Sequence, residues 1–240
     1  MAFGSTVSGQ GVGSYAADVV FCIDGTGSMA SVIQQVKDMA SGFSTKVTEA
    51  LEESGREVEV LRTKVIVYRD FSCDTDALVS SPFFTLPDDN AAFQSFVDSI
   101  EAIGGGDEPE NGLEALAEAM NSEWTKEGKK RRHIIVLFTD ASAINLEDSV
   151  KSHAQYPSNV PANLAGLQDW WENGTPEGSL EGSAKRLILF TPEAEPWNTI
   201  KLWNQTEYGE PMTPGKGCVE ATMEQILALI AKSFAPVATQ

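Results

Sequence analysis

Two hydrophobic rhythms alternate along this chain: unbroken aliphatic runs of strand length, and apolar residues stepping by three and four. The run DVVFCID (18–24), closed by an aspartate, predicts a strand buried on both faces. After it, Val32, Ile33, Val36, Met39, Phe43, Val47, Ala50 and Leu51 fall on one face of a long helix. TKVIVYRD (63–70) predicts a second buried strand and FFTL (83–86) a short third. DDNAAFQSFVDSI reads as a helix with Asp88 or Asp89 as its N-cap. GGGDEPENGLEALAEAM then breaks one helix and starts another. Pro109 suits its first turn, and Glu108 and Glu110 suit the positive end of its dipole. HIIVLFTD (133–140) and RLILFTP (186–192) are two more buried strands, with LAGLQDWWE as the best helix in the polar stretch between them. Ala221, Met223, Ile226, Leu227, Ile230 and Phe234 close the chain on an amphipathic helix.

Aliphatic strands alternating with amphipathic helices give an α/β fold, a mostly parallel sheet covered on both faces. Such sheets bind ligands beyond the carboxyl ends of their strands. The three clearest strands end CID, YRD and FTD, which brings Asp24, Asp70 and Asp140 to one edge, beside a Gly-rich loop carrying Asp107. No repeat interrupts the chain, so a single domain is expected over 15–240. It follows a Gly- and Ser-rich arm at 1–14.

Composition narrows the partners. Seventeen basic against 35 acidic residues leave a net charge of −18, which argues against nucleic acid or an anionic membrane as a target. Three cysteines (Cys22, Cys73, Cys218) show no paired spacing, which fits a reducing compartment. No apolar run reaches the ~18 residues of a membrane span. The start MAFGSTVSGQGVGSYA lacks the basic and apolar regions of a secretory signal, so a cytoplasmic protein is expected.

The turn after the first strand, DGTGS, places Asp24, Thr26 and Ser28 on alternate positions. A phosphate loop would need a G-K-[ST] ending, which is missing here. DGTGS resembles the D-K-T-G-T nucleophile turn of cation-pumping ATPases, with Gly25 in place of the lysine. IDGT resembles the D-x-D-G-T of haloacid dehalogenase phosphatases, but Cys22 then stands at the nucleophile position. More of the chain is accounted for by a third family. D-x-T-x-S with Met29 and a helix behind it, a Gly-rich loop before a later helix, and Asp140 in VLFTD resemble the metal-ion-dependent adhesion site of von Willebrand factor type A domains. The resemblance covers about residues 15–235. GGGD-x-PE with YRD is similar to the branch of bacterial and protist proteins related to the domain beside some alpha-type kinases.

That resemblance implies a Rossmann-like sheet with helices on both faces. It implies Mg2+, with Mn2+ or Ca2+ as alternatives, held by Thr26 and Ser28 directly and by Asp24 and Asp140 directly or through water. One coordination position is left for an Asp or Glu of a protein partner, for which a kinase, phosphatase or ATPase encoded nearby is a candidate. Where the family usually has Thr, this chain aligns Asp107, which reads as either a ligand or a helix N-cap. The family is not enzymatic, and no nucleophile is paired with a base. A Mg2+-dependent phosphoryl-transfer enzyme on the strand-end aspartates, and a purely structural metal site, stand as alternatives. Asp70 reads either as the orienter of a metal-bound water or as the ion-pair partner of Arg69. Cys22 reads as packing, and His133 and His153 carry no chemistry. KKRR (129–132) reads as a solvated helix end. Trp170, Trp171, Trp197 and Trp203 read as core, with an exposed subset as a candidate partner surface.

Overall fold

A computed structural model describes residues 14–40, 42–53, 55–105 and 108–234. The strands are β1 (Tyr15–Asp24), β2 (Val58–Tyr68), β3 (Leu78–Ser80), β4 (Phe84–Leu86), β5 (Lys130–Phe138), β6 (Lys185–Phe190) and β7 (Thr206–Tyr208). The helices are α1 (Ala30–Ala40), α2 (Phe43–Glu53), α3 (Asn90–Asp98), α4 (Gly112–Met120), α5 (Leu164–Asn173), α6 (Trp197–Ile200) and α7 (Met223–Ser233). One sheet runs β3-β2-β1-β5-β6-β7, with β4 on the other half of β2. The pairs β1–β2, β1–β5, β5–β6 and β6–β7 are parallel, and β3 and β4 lie antiparallel to β2. The mostly parallel α/β architecture is the one expected.

Every residue of β1 is buried, because the strand lies at the centre of the sheet. Its side chains alternate. Ala17, Val19, Phe21 and Ile23 enter a core with α1, α2, α3 and α7, while Val20 and Cys22 enter a second core with α4, α5 and α6. Each large apolar side chain so buried contributes about 1.5–3 kcal/mol. Cys22 is packing, as expected, and burial pushes its thiol far up. At the far end of β1, Asp18 is fully buried and takes a bidentate pair of bonds from Arg62, at 2.8 and 2.5 Å.

Several elements differ from their sequence expectation. The long helix is two, α1 ending at Ala40 and α2 starting at Phe43. Their apolar faces stay in phase and fill one core, so periodicity alone does not reveal the break, and glycine's poor helix propensity at Gly42 marks it. Asp89 stands at the N-cap of α3 but accepts from Thr85 N (2.8 Å) and makes no cap bond. Helix α4 begins at Gly112 behind Asn111, so Pro109 precedes the helix. KKRR is not a solvated helix end but leads into and opens β5. There Arg131 pairs with Glu181 (2.7 Å), and the buried Arg132 donates to the carbonyls of Ser233 and Phe234 at the end of α7. Trp124, Trp171, Trp197 and Trp203 are buried and Trp170 is half-buried, so the tryptophans form no exposed surface. The short elements β3, α6 and β7 are too brief to leave a periodic signal. The expected arm at 1–14 lies outside the described residues except for Ser14.

Arg69, at the end of β2, is the tie among the loops at the carboxyl edge. It is 6% exposed, and it donates to the carbonyls of Gly25 (3.1 Å), Ile103 (2.9 Å), Asp76 (2.8 Å) and Glu101 (2.7 Å). The planar guanidinium reaches acceptors on three loops at once, which a lysine ammonium cannot do. Arg69→Lys is expected to lower the unfolding free energy by about 2–3 kcal/mol, read by urea denaturation. A loss within ~0.5 kcal/mol would show the carbonyls to be served by other donors.

His133 is fully buried, stacked on Trp124 at 5.1 Å, with Nε2 donating to Thr125 O (3.0 Å) and Nδ1 accepting from Glu181 N (3.2 Å). The neutral ring satisfies both contacts, and burial holds its pKa below the ordinary value. The unfolded chain therefore takes up this proton first, near pH ~6.5. The stability that neutral His133 contributes is present above that pH and lost as the pH falls below it. His133→Gln is expected to reduce the loss of stability between about pH 6.5 and 5, measured by denaturation at both pH values. An unchanged slope would assign the acid sensitivity to other groups.

Candidate functional site

The last residue of β1 sets the geometry. Asp24 is fully buried, and both its oxygens are engaged. Oδ1 accepts from Thr26 N (2.9 Å) and Thr26 Oγ1 (2.6 Å), and Oδ2 accepts from Thr139 Oγ1 (2.7 Å) just past β5. The bond from the amide two residues on is an Asx turn, which explains the tight DGTGS sequence. It leads Ser28 back across the end of β5, where Ser28 Oγ donates to Asp140 Oδ1 (2.9 Å). The Thr26 and Ser28 hydroxyls lie 3.4 Å apart. Asp140 Oδ2 accepts from Gly217 N (2.6 Å), so a loop before α7 also reaches the site.

Glycines make these approaches feasible. Gly105 has φ +73°, and a Cβ there would sit 2.8 Å from Thr26 and 3.0 Å from Glu110 Oε1. Its amide donates to Asp74 Oδ2 (3.1 Å), while Gly27 N donates to Gly104 O (3.3 Å) and Ile103 N to Gly25 O (3.1 Å). The Gly-rich loop is thus laced to the turn after β1. Between them lies a polar depression of about 220 Å³, lined by Thr26, Ser28, Glu108, Glu110 and Asp140. Ser28 is exposed at its mouth, whereas Thr26 and Asp140 are buried.

Carboxyl groups are concentrated at the floor. Burial pushes the Asp24 carboxyl up to about 6, against its Thr26 and Thr139 hydrogen bonds, with Asp140 adding to the rise. Glu110 is pushed up to about 9, by burial first and then by Asp24, Asp70, Asp74 and Asp140. Its backbone is fixed by Glu110 N to Ser142 O (3.1 Å) and Ile144 N to Glu110 O (2.9 Å), and its Oε2 is buried with no hydrogen-bond partner among the described residues. Among the described residues, no three acidic, His or Cys side chains converge closely enough to chelate an ion by themselves. The Thr26 and Ser28 hydroxyls add two further oxygens beside these carboxylates. Such an all-oxygen donor set fits a hard divalent cation.

Asp24, Thr26, Ser28 and Asp140 are brought together, and Asp107 lies outside the described residues. Asp70 closes its own turn, accepting from Ser72 N (2.6 Å) and Ser72 Oγ (2.7 Å). Arg69 is committed to carbonyls, so the expected Arg69–Asp70 ion pair is not formed. Sequence reading missed Thr139, Asp74 and Glu110. The Thr of FTD was a signal for the first; Glu110 was taken as a dipole partner because a helix was expected to start there.

Solved structures share this architecture at low identity. A von Willebrand factor type A protein from Catenulispora acidiphila matches with TM-score 0.51 and 16% identity over 92% of this chain and 43% of its own. The pilus adhesin SpaC from Lactobacillus rhamnosus GG matches with TM-score 0.52 and 11% identity over 91% of this chain and 30% of its own. The chain therefore spans less than half the length of these structures, and at such identities the likeness shows the fold. No curated protein sequence matches. The family model described as von Willebrand factor A domain matches residues 18–160, more than half of the chain and the whole span from Asp24 to Asp140. This chain belongs to the von Willebrand factor A domain family.

Proposed function

We propose that this domain is a metal-dependent protein-interaction module. A divalent cation, Mg2+ with Mn2+ or Ca2+ as alternatives, would be held by Thr26 and Ser28 with Asp24, Asp140 and Asp107, and would receive an Asp or Glu of a protein partner. The observation that carries this reading is the meeting of two hydroxyls and two strand-end carboxylates at a mouth that Ser28 leaves open to solvent. The depression lined by Glu108, Glu110 and Asp140 gathers carboxyl groups whose ionised form a cation would favour. Ile103 (53% exposed) and Val219 (55%), in loops that lead into the site, offer apolar contact to a partner. The likeness of GGGD-x-PE to alpha-kinase-associated relatives makes a neighbouring kinase, phosphatase or ATPase the first partner to try.

The enzymatic alternative has less support. Asp24 is buried with both oxygens bonded to hydroxyls, so no face is free to attack phosphorus, and no lysine or arginine lines the depression among the described residues. A cytoplasmic location is supported by Cys22, Cys73 and Cys218 forming no disulfide among the described residues. No described helix is long and apolar enough to cross a membrane.

Thr26→Ala with Ser28→Ala is expected to abolish the Mg2+-induced rise in melting temperature while the metal-free protein still unfolds cooperatively. Differential scanning calorimetry with EDTA and with Mg2+ reads both, and a persisting Mg2+ response would move the cation elsewhere. Turnover of a generic phosphate ester that disappears on Asp24→Asn would replace the interaction module with the phosphoryl-transfer alternative.

A further inference from the structure

A cavity of about 160 Å³ lies between α3 and the β2–β3 pair, and it shares no lining residue with the polar depression. Val67 of β2 and Val79 of β3 stand opposite each other in that antiparallel pair, so their side chains share one face. Helix α3 ends at Asp98, and the chain after it is drawn to Arg69 through the carbonyls of Glu101 and Ile103. The space left between that segment and the two valines is walled by Phe96, Ile100 and the exposed Ile103. Arg69 completes the wall. Its guanidinium carries five N–H groups. The carbonyls of Gly25 and Ile103 share Nε–H, while Nη1 and Nη2 make one bond each, to Asp76 O and Glu101 O. Among the described residues these bonds leave one N–H on each terminal nitrogen, and Arg69 has no ion-pair partner. A buried positive charge served by carbonyls alone gains from an anion.

A volume of this size holds one six-membered ring, since a dry cavity of about 150 Å³ takes up benzene. The planar fork of a guanidinium matches a carboxylate, and such charge-assisted bonds are roughly twice as strong as neutral ones. Asp76 and Glu101, both exposed, also line the cavity, and their charges work against a dianion such as sulfate. We propose that this cavity binds a small monocarboxylate with a compact apolar body, of the benzoate type. The body lies against Val67, Val79, Phe96 and Ile100, and the carboxylate meets Arg69. The site stands apart from the cation reading, because it uses none of Asp24, Thr26, Ser28 or Asp140. Its occupant touches the segment from which Ile103 N bonds Gly25 O and Gly104 O bonds Gly27 N, so it holds the Gly-rich loop from behind.

The test is a proton–nitrogen correlation NMR titration of the full chain in EDTA with benzoate, benzyl alcohol and acetate. Benzoate is expected to bind with a dissociation constant on the order of 1 mM, an ordinary strength for about nine heavy atoms. Saturable shifts should fall on the amides of Val67, Ile100 and Ile103. Benzyl alcohol has the ring without the charge and acetate the charge without the ring, and each should bind at least ~10-fold more weakly. Val79→Phe fills the cavity and is expected to abolish the benzoate shifts. Ser99→Trp, at an exposed position on the same cavity, serves if that variant fails to fold. No saturable shift up to about 20 mM benzoate, well above the expected constant, overturns the proposal. Equal binding of benzyl alcohol overturns the role of Arg69, and equal binding of acetate overturns the apolar body. Shifts centred on Gly27 and Gly217 that survive Val79→Phe would place the carboxylate at the depression and overturn the site.

Discussion

A carboxylate taken out of water at the centre of a sheet has to be satisfied locally, and Asp24 imposes that requirement on everything around it. Its two oxygens draw in Thr26 from its own strand and Thr139 from the neighbouring one, so the ends of β1 and β5 are joined by side chains where the ladder stops. Once Thr26 is turned inward, the alternation of the turn carries Ser28 to Asp140. The geometry at the edge follows from desolvation first and from hydrogen bonding second.

The surrounding loops are shaped to permit this. Residues 101–105 carry little that could pack, yet Arg69 bonds their carbonyls and Asp74 receives the Gly105 amide. Gly25 is equally constrained: a Cβ there would lie 2.6 Å from Val67 and 3.0 Å from the Arg69 guanidinium. A buried cation fixed to backbone carbonyls thus underlies a site whose own side chains are all neutral or negative. Arg69 anchors the loops and leaves the depression free of positive charge.

The sheet was legible in the sequence because DVVFCID, TKVIVYRD, HIIVLFTD and RLILFTP are continuous apolar runs that only a doubly covered sheet can bury. The chemistry at its edge was legible because the aspartates fall at strand ends and alternate with hydroxyls. What sequence could not show was direction. Asp24 is the last residue of β1, whereas Asp70 lies two residues past β2 and bends onto Ser72, which offers a local donor pair. Glu110 suits the positive end of a helix by its charge, and the start of α4 at Gly112 leaves it buried ahead of that helix. KKRR looked solvated because nothing in its own composition announces the α7 carbonyls that Arg132 meets about 100 residues later, at separations of 101 and 102.

The bond from Gly217 to Asp140 has a kinetic consequence. The site joins side chains separated by 115 residues at Thr139–Asp24, and the loop that completes it stands a further 77 residues beyond Asp140. Contacts of such range form late, after the loops between them have been closed at an entropic cost. The emerging chain therefore carries its aspartates without the arrangement that makes them a site until the Gly217 segment has been made. The last anchor arrives only when the segment before α7 is available to fold back. The proposed ion would bind at this edge only once the domain is complete, and would then stabilise the native chain by mass action without trapping partly made ones.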